Sequence, residues 1–277
     1  MLIETQKNRN TFEPHTPALP FRAAPIAPRE QTKPWTRPDQ GSAPSPSPVS
    51  RETAFDAAEA GLTLRWLRTS QSESPRLHPQ SGPGRNHKWW YIAEAEPGSW
   101  LQLGLRRPAS AEQIRSAALN GRLPELLRRI EPAIGDMFLI EAGTLHAAGP
   151  GLTIVEVAEG HHTPLVPEPS DPAQFLSACD QAICDPQPIA PLPGEAIPFR
   201  IAHEMLAPEQ RVMLMDPLAC VAVVNGSGTF GNRPFEAGQC WQFHGPLATR
   251  AIEPTVLIVA ERCEPAPGSD GIWRARQ

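Results

Sequence analysis

The stretch from Leu126 to Glu156, LLRRIEPAIGDMFLIEAGTLHAAGPGLTIVE, constrains the fold more than any other part of the chain. Gly135-Asp136 makes a turn, and Met137-Phe138-Leu139-Ile140 follows as a short apolar run with strand composition. Ala142-Gly143-Thr144 makes a second turn and delivers His146 onto the next strand. Leu152-Thr153-Ile154-Val155 is a further β-rich run. A histidine on a strand just after a tight turn has a fixed direction. That suits a metal ligand, because metals demand fixed geometry, and it equally suits a structural histidine that caps a turn.

The order of a glycine turn, an apolar strand, a second glycine turn and a histidine resembles the second sequence motif of the cupin barrel. Glu141 stands where that motif usually has proline. The expected fold class is mainly β: a double-stranded β-helix (cupin jelly roll) present twice, a bicupin, with a small helical insertion in the first barrel.

The remaining chain supports a β-rich reading. Leu62 to Arg68 alternates apolar and polar residues and predicts a strand with one buried face. Lys88 to Ala93 predicts another strand by its aromatic content, and Ser99 to Leu105 returns from the Pro97-Gly98 turn. On the first of these, alternation puts Lys88, Trp90 and Ile92 on one face and Trp89 and Tyr91 on the other. Ser110-Ala111-Glu112-Gln113 is a capping-box pattern that opens a helix, and Asn120-Gly121 ends it. Pro124 opens a second short helix through Ile130, and Ala54 to Thr63 reads as a short helix or turn. Beyond residue 199, the runs Val221 to Val224, Cys240 to Phe243 and Thr255 to Ala260 are strands between glycine turns. The two halves echo each other.

Of 277 residues, 34 are proline, and they cluster, so they mark linkers rather than a fibrous repeat. The expected organisation is a largely disordered segment 1–52, a first barrel 53–166 with its helical insertion at 109–130, a crossover 167–198, a second, degenerate barrel 199–266 and a tail 267–277. Leu19 to Ile26 is an apolar island able to dock as an edge strand, and Pro172 to Ile183 predicts a helix in the crossover. The net charge of −5 is spread out, with no basic block to attract nucleic acid. No leader peptide or membrane-spanning stretch is apparent, so a soluble, cytoplasmic protein is expected. The five cysteines form no C-x-x-C pair and are expected to be reduced and partly buried.

The run Pro124 to Glu156, together with the preceding helix and the Trp90-Tyr91-Ile92 strand, resembles the zinc-site half of class I mannose-6-phosphate isomerases. The resemblance covers about residues 62–166. It implies interconversion of mannose 6-phosphate and fructose 6-phosphate through an enediolate, with zinc (or another divalent metal) holding the developing oxyanion. It also implies a phosphorylated hexose as partner. His146 falls on the family's late His ligand, and His78, followed by Pro79, on its first. The Gln ligand is replaced by Arg76 and the Glu ligand by Lys88, neither of which offers zinc a lone pair in its charged form. A one-residue bulge would instead bring His87 into the slot and give three imidazoles, His78, His87 and His146. The family's later substrate segment is absent: Ala158-Glu159-Gly160-His161-His162 stands there, and Val166 replaces its Arg.

Two functional readings stay open. One is an isomerase with an altered metal set, its base among Glu156, Glu94 and Lys88. The other is a catalytically lapsed barrel in which Arg76 and Lys88 grip a sugar phosphate or another anion. A third, bland reading has Trp89, Trp90 and Trp100 simply filling the barrel.

Overall fold

The computed structural model describes residues 22–32, 50–57, 61–70, 86–159, 199–214 and 218–262. Strands dominate it. The first large sheet has the order β2-β3-β4-β10-β5-β8. Its strands are β2 (Arg29–Thr32), β3 (Ser50–Ala57), β4 (Leu62–Thr69), β10 (Leu152–Glu159), β5 (Lys88–Ala95) and β8 (Met137–Ile140). A small sheet, β7-β6-β9, closes the first barrel. It is built from β6 (Leu101–Leu105), β7 (Leu127–Ile130) and β9 (His146–Ala148).

The second unit repeats this plan. Its large sheet runs β1-β16-β13-β18-β11. These strands are β1 (Arg22–Pro25), β16 (Cys240–His244), β13 (Leu218–Asn225), β18 (Thr255–Arg262) and β11 (Phe199–Leu206). The small sheet β12-β17-β14-β15 contains β12 (Arg211–Leu214), β14 (Ser227–Phe230), β15 (Arg233–Glu236) and β17 (Leu247–Ala251). The mainly β, cupin-type architecture expected from the sequence is therefore what the chain adopts.

Each large sheet is pleated, so alternate residues face opposite sides. Trp90, Ile92, Phe138, Ile140, Leu152 and Ile154 face into the first barrel with Leu101 and Leu103. Their neighbours Leu64, Trp66, Tyr91, Val155 and Val157 face the other way. They pack on Phe199, Ile201, Cys220, Ala222 and Ile258 of the second unit in one shared core. A third cluster, around Val221, Val223, Phe230, Phe243 and Val259, fills the second barrel. The large sheet of the first unit is thus buried on both faces.

That sandwiching corrects one expectation. β4 was expected to bury one face, yet Leu62 through Trp66 are all buried. Residues 54–57 also differ from the expected helix or turn. They complete β3, where Phe55 and Ala57 enter the shared core, a gain no isolated turn offers. The helix α1 (Ala111–Leu119) has the expected capping box: Ser110 Oγ accepts from the Gln113 N–H, and Gln113 Oε1 accepts from the Ser110 N–H. The second predicted helix does not form. Leu123–Leu126 makes one 3-10 turn, and Leu127–Ile130 pairs with β6 as a strand, with Leu127 packing on Ile114 and Leu145. In the N-terminal region, β1 docks beside β16 as an edge strand, as the apolar island suggested, and β2 adds to β3. The predicted helix Pro172 to Ile183 lies outside the described residues.

Candidate functional site

The first barrel's apolar interior carries a charged group at one position along its sheet. β10 pairs with β4 and β5 so that Glu156 lies opposite Arg65 on one side and Trp90 on the other. Directly opposed residues share a face. Trp90 belongs to the barrel-facing set, so Arg65 and Glu156 face inward with it. Lys88, two residues before Trp90, is on the same face. Arg65, Lys88 and Glu156 are all buried.

Glu156 is the hub of this group. Its Oε1 accepts from Arg65 Nη1 at 2.5 Å. Its Oε2 accepts from Trp90 Nε1 at 2.7 Å and lies 3.0 Å from Lys88 Nζ. Burial alone pushes its pKa up. The charges of Lys88 and Arg65 and the hydrogen bonds from Trp90 and Lys88 outweigh this, and hold the carboxyl well below its ordinary value. Glu156 is therefore an ionised anchor and a poor proton acceptor.

His146 stands beside this group. The turn before it uses Gly143 at φ 91°, a left-handed conformation that disfavours any side chain. β9 then pairs with β6 through Leu103 opposite His146. The imidazole meets the Trp90 ring edge-on, with centroids 5.5 Å apart and planes at 85°. His146 Nδ1 lies 2.9 Å from the Thr144 carbonyl oxygen. A carbonyl only accepts, so Nδ1 carries the proton and donates, and in the neutral ring Nε2 carries the lone pair. In that tautomer the basic nitrogen is Nε2.

The other predicted site residues are placed differently. His87 is buried, and its Nδ1 faces the Ala142 N–H at 3.4 Å, so this lone pair is directed at the backbone. The bulge in β5 lies between its pairings with Thr153 and Ile154, not next to His87, and the register from Lys88 to Ile92 is continuous. Glu94, beyond that bulge, pairs with Thr153 and accepts from its hydroxyl at 2.5 Å. Thr153 alternates with inward-facing Ile154, so Glu94 is turned off the barrel interior and away from Lys88. Arg76, His78, His161 and His162 lie outside the described residues. Trp90 does face the interior, as the space-filling reading required, but its indole N–H is committed to Glu156.

Arg65 is the member that sequence reasoning missed. Its signal was present: it sits at an alternate position of a strand whose apolar face is elsewhere. Only the burial of β4 on both faces turns that polar position into an interior one.

The zinc implied by the sequence resemblance can be tested against these donors. A zinc site uses three or four His, Cys, Asp or Glu ligands. Among the described residues no group of three or more such side chains converges. Both oxygens of Glu156 already accept from cations or an indole, and Arg65 and Lys88 bring positive charge to the same place. The described donor set does not fit a divalent metal.

No protein-family model matches the chain. Among curated proteins, the mannose-6-phosphate isomerase of Streptococcus mutans is 29% identical over 109 residues, which is 37% of this chain and 34% of that protein. ManA of Bacillus subtilis, a mannose-6-phosphate isomerase, is 26% identical over 110 residues, 37% of this chain and 35% of that protein. The matches thus span about a third of the length of these relatives. Among solved structures, the Bacillus subtilis mannose 6-phosphate isomerase superposes with a TM-score of 0.67 at 16% identity, covering 86% of this chain and 98% of that one. A variant of the Salmonella typhimurium phosphomannose isomerase gives 0.62 at 13% identity, covering 87% and 99%. Among the described residues no helix is long and apolar enough to cross a membrane. Over about a third of its length the chain is similar in sequence to mannose-6-phosphate isomerases, and over most of its length it shares the cupin-type fold of the solved ones.

Proposed function

We propose that the first barrel binds a phosphorylated hexose, with Arg65, Lys88 and Glu156 as the polar floor of its pocket and His146 beside them. One observation carries this reading: a charged trio is buried inside the first barrel, among mostly apolar side chains. Buried ion pairs seldom add stability over apolar residues of the same volume, so their presence calls for another reason. With Glu156 ionised, the trio bears excess positive charge, which favours an anionic ligand. Arg and Lys donate to phosphate or hydroxyl oxygens, and a carboxylate accepts from sugar hydroxyls. The relatives named above are mannose-6-phosphate isomerases, which supplies the substrate class.

A second reading, aldose–ketose interconversion of mannose 6-phosphate and fructose 6-phosphate, is favoured by the His146 tautomer. A neutral imidazole with its lone pair on Nε2 is a suitable base for the carbon-2 proton. In that reading Glu156 is not the base, because its clamped carboxylate has too little basicity. Lys88 would instead steady the developing oxyanion.

Calorimetric titration of the full chain with mannose 6-phosphate and fructose 6-phosphate, run beside a coupled isomerase assay, tests both. Binding that weakens in Arg65→Met supports the first reading. Turnover that is lost in His146→Gln, with binding retained, adds the second. No binding of either sugar phosphate overturns the proposal.

A further inference from the structure

We infer that the Lys88 ammonium is the resident cation of this site and that the barrel takes its ligand without a divalent metal. The sugar-phosphate part rests on the function proposed above; the metal part stands on the donor geometry alone.

Lys88 is buried on the inward face of β5, 3.0 Å from Glu156 Oε2. The same oxygen accepts from Trp90 at 2.7 Å, and the other is held by Arg65 at 2.5 Å. Three of the roughly four lone pairs of Glu156 face donors, one on Oε1 and two on Oε2, which leaves little for a metal. A dication at this position would meet the positive charges of Lys88 and Arg65 in a medium that screens them weakly. His146 offers one imidazole nitrogen, because its Nδ1 donates to the Thr144 carbonyl. The His87 Nδ1 is turned to the Ala142 N–H. An ammonium, by contrast, needs no deprotonated ligand set: Glu156 holds it by one ion pair, and its three N–H groups can donate to ligand oxygens as well.

Lys88 also sits at the sequence position where the resemblance places a carboxylate ligand. The substitution therefore does more than delete a ligand: it puts a fixed positive charge into the same face of the same barrel. A basic group of this kind can stabilise negative charge on a bound sugar phosphate or on an enediolate by hydrogen bonding.

The test uses untagged full-length protein produced with zinc in the medium. Elemental analysis should find zinc far below one per chain. The affinity for mannose 6-phosphate should be the same after EDTA treatment and after zinc addition. Lys88→Met should weaken that affinity by about tenfold to a hundredfold, as expected when a charged hydrogen-bond donor is removed, and Lys88→Arg should retain most of it. In Lys88→Glu, which exchanges the ammonium for a potential ligand, added zinc should raise the melting temperature, whereas wild type should not respond.

Stoichiometric zinc in the wild type, or affinity lost with EDTA, overturns the inference. So does unchanged affinity in a folded Lys88→Met. Should Lys88→Met fail to fold, the wild-type zinc and EDTA measurements and the Lys88→Arg affinity decide. Absence of sugar-phosphate binding by wild type refutes the proposed function, and the zinc content still decides the metal part.

Discussion

Glu156 in the first barrel and Val259 in the second hold corresponding places. The strand orders β4-β10-β5-β8 and β11-β18-β13-β16 match, and the central strands begin in the same register, Leu152 opposite Thr69 and Thr255 opposite Leu206. Where Glu156 lies between Arg65 and Trp90, Val259 lies between Ala202 and Val221. Where Ala158 faces Lys88, Glu261 faces Ala219. The same backbone plan thus encloses a charged trio in one unit, where the other has Val259 and Val221 at that place and a half-exposed Arg200 paired with Glu261 farther along the strand. The fold does not require a charge at this place, because the second barrel closes around Val259 there. The proposed ligand site rests on this difference between the two barrels.

This contrast can be broken most directly by moving a charge. Val259→Glu would bury a carboxylate among apolar side chains, with the nearest cation on that face, Arg200, already paired with Glu261, and should cost about 3–5 kcal/mol or prevent folding. A urea melt showing a small loss would mean that the second interior is wet, and the contrast would fail. In the first barrel, Glu156→Leu should cost a similar amount, about 3–5 kcal/mol, because it leaves Arg65 and Lys88 buried together. Adding Arg65→Met and Lys88→Met to that variant should reverse the sign. The triple variant is expected to equal or exceed wild-type stability by up to about 4 kcal/mol, with sugar-phosphate binding abolished. A triple variant no more stable than Glu156→Leu would show that the trio is structural.

Acid sharpens the contrast further. The folded Glu156 carboxyl is held well below the ordinary 4.5, so its contribution is fully present above the unfolded value. It is lost as pH falls through 4.5 towards the depressed folded value. Wild type should lose stability steeply in that window, and the triple variant should lack this component of the acid limb. A weaker effect belongs to the barrel interface, where His203 packs against Tyr91 with ring centroids 5.2 Å apart. Burial lowers the His203 value below 6.5 despite the opposing charge of Glu204. A neutral His203 therefore stabilises the fold above 6.5, and this is lost as pH falls below it. His203→Gln should flatten that shallow step in a series of thermal melts. The smallest effect concerns thiols: burial pushes Cys220 up to about 12, and Cys240 also well up. Neither should react with a thiol reagent in the native protein at neutral pH, and both should react on unfolding.

Much of the first barrel was legible from local signals. The Ser110 capping box, the Gly143 turn and the alternation of Trp89, Trp90 and Tyr91 are short-range effects, set by nearby backbone and side-chain geometry. The second predicted helix failed because Leu127 gains more by pairing with β6 and packing on Ile114 than by continuing a helical turn. Phe55 was misread for the same kind of reason, since its partners are supplied by a distant part of the chain. At the site, Lys88 and Glu156 were each visible as titratable residues on strands. Their pairing was not, because nothing local links positions 68 residues apart.

The sequence by itself determined the β architecture, the turns, the division of β5 into two faces and the placing of His146 after a glycine turn, because hydrophobic period and left-handed glycines act within a few residues. Only the tertiary structure decided that Arg65 is interior rather than solvent-facing, and that Glu156 is a clamped anion rather than a base. Both follow from a long-range fact: β4, β10 and β5 are neighbours in a sheet covered on both faces. There water is excluded, and a charge must find its partner in the protein.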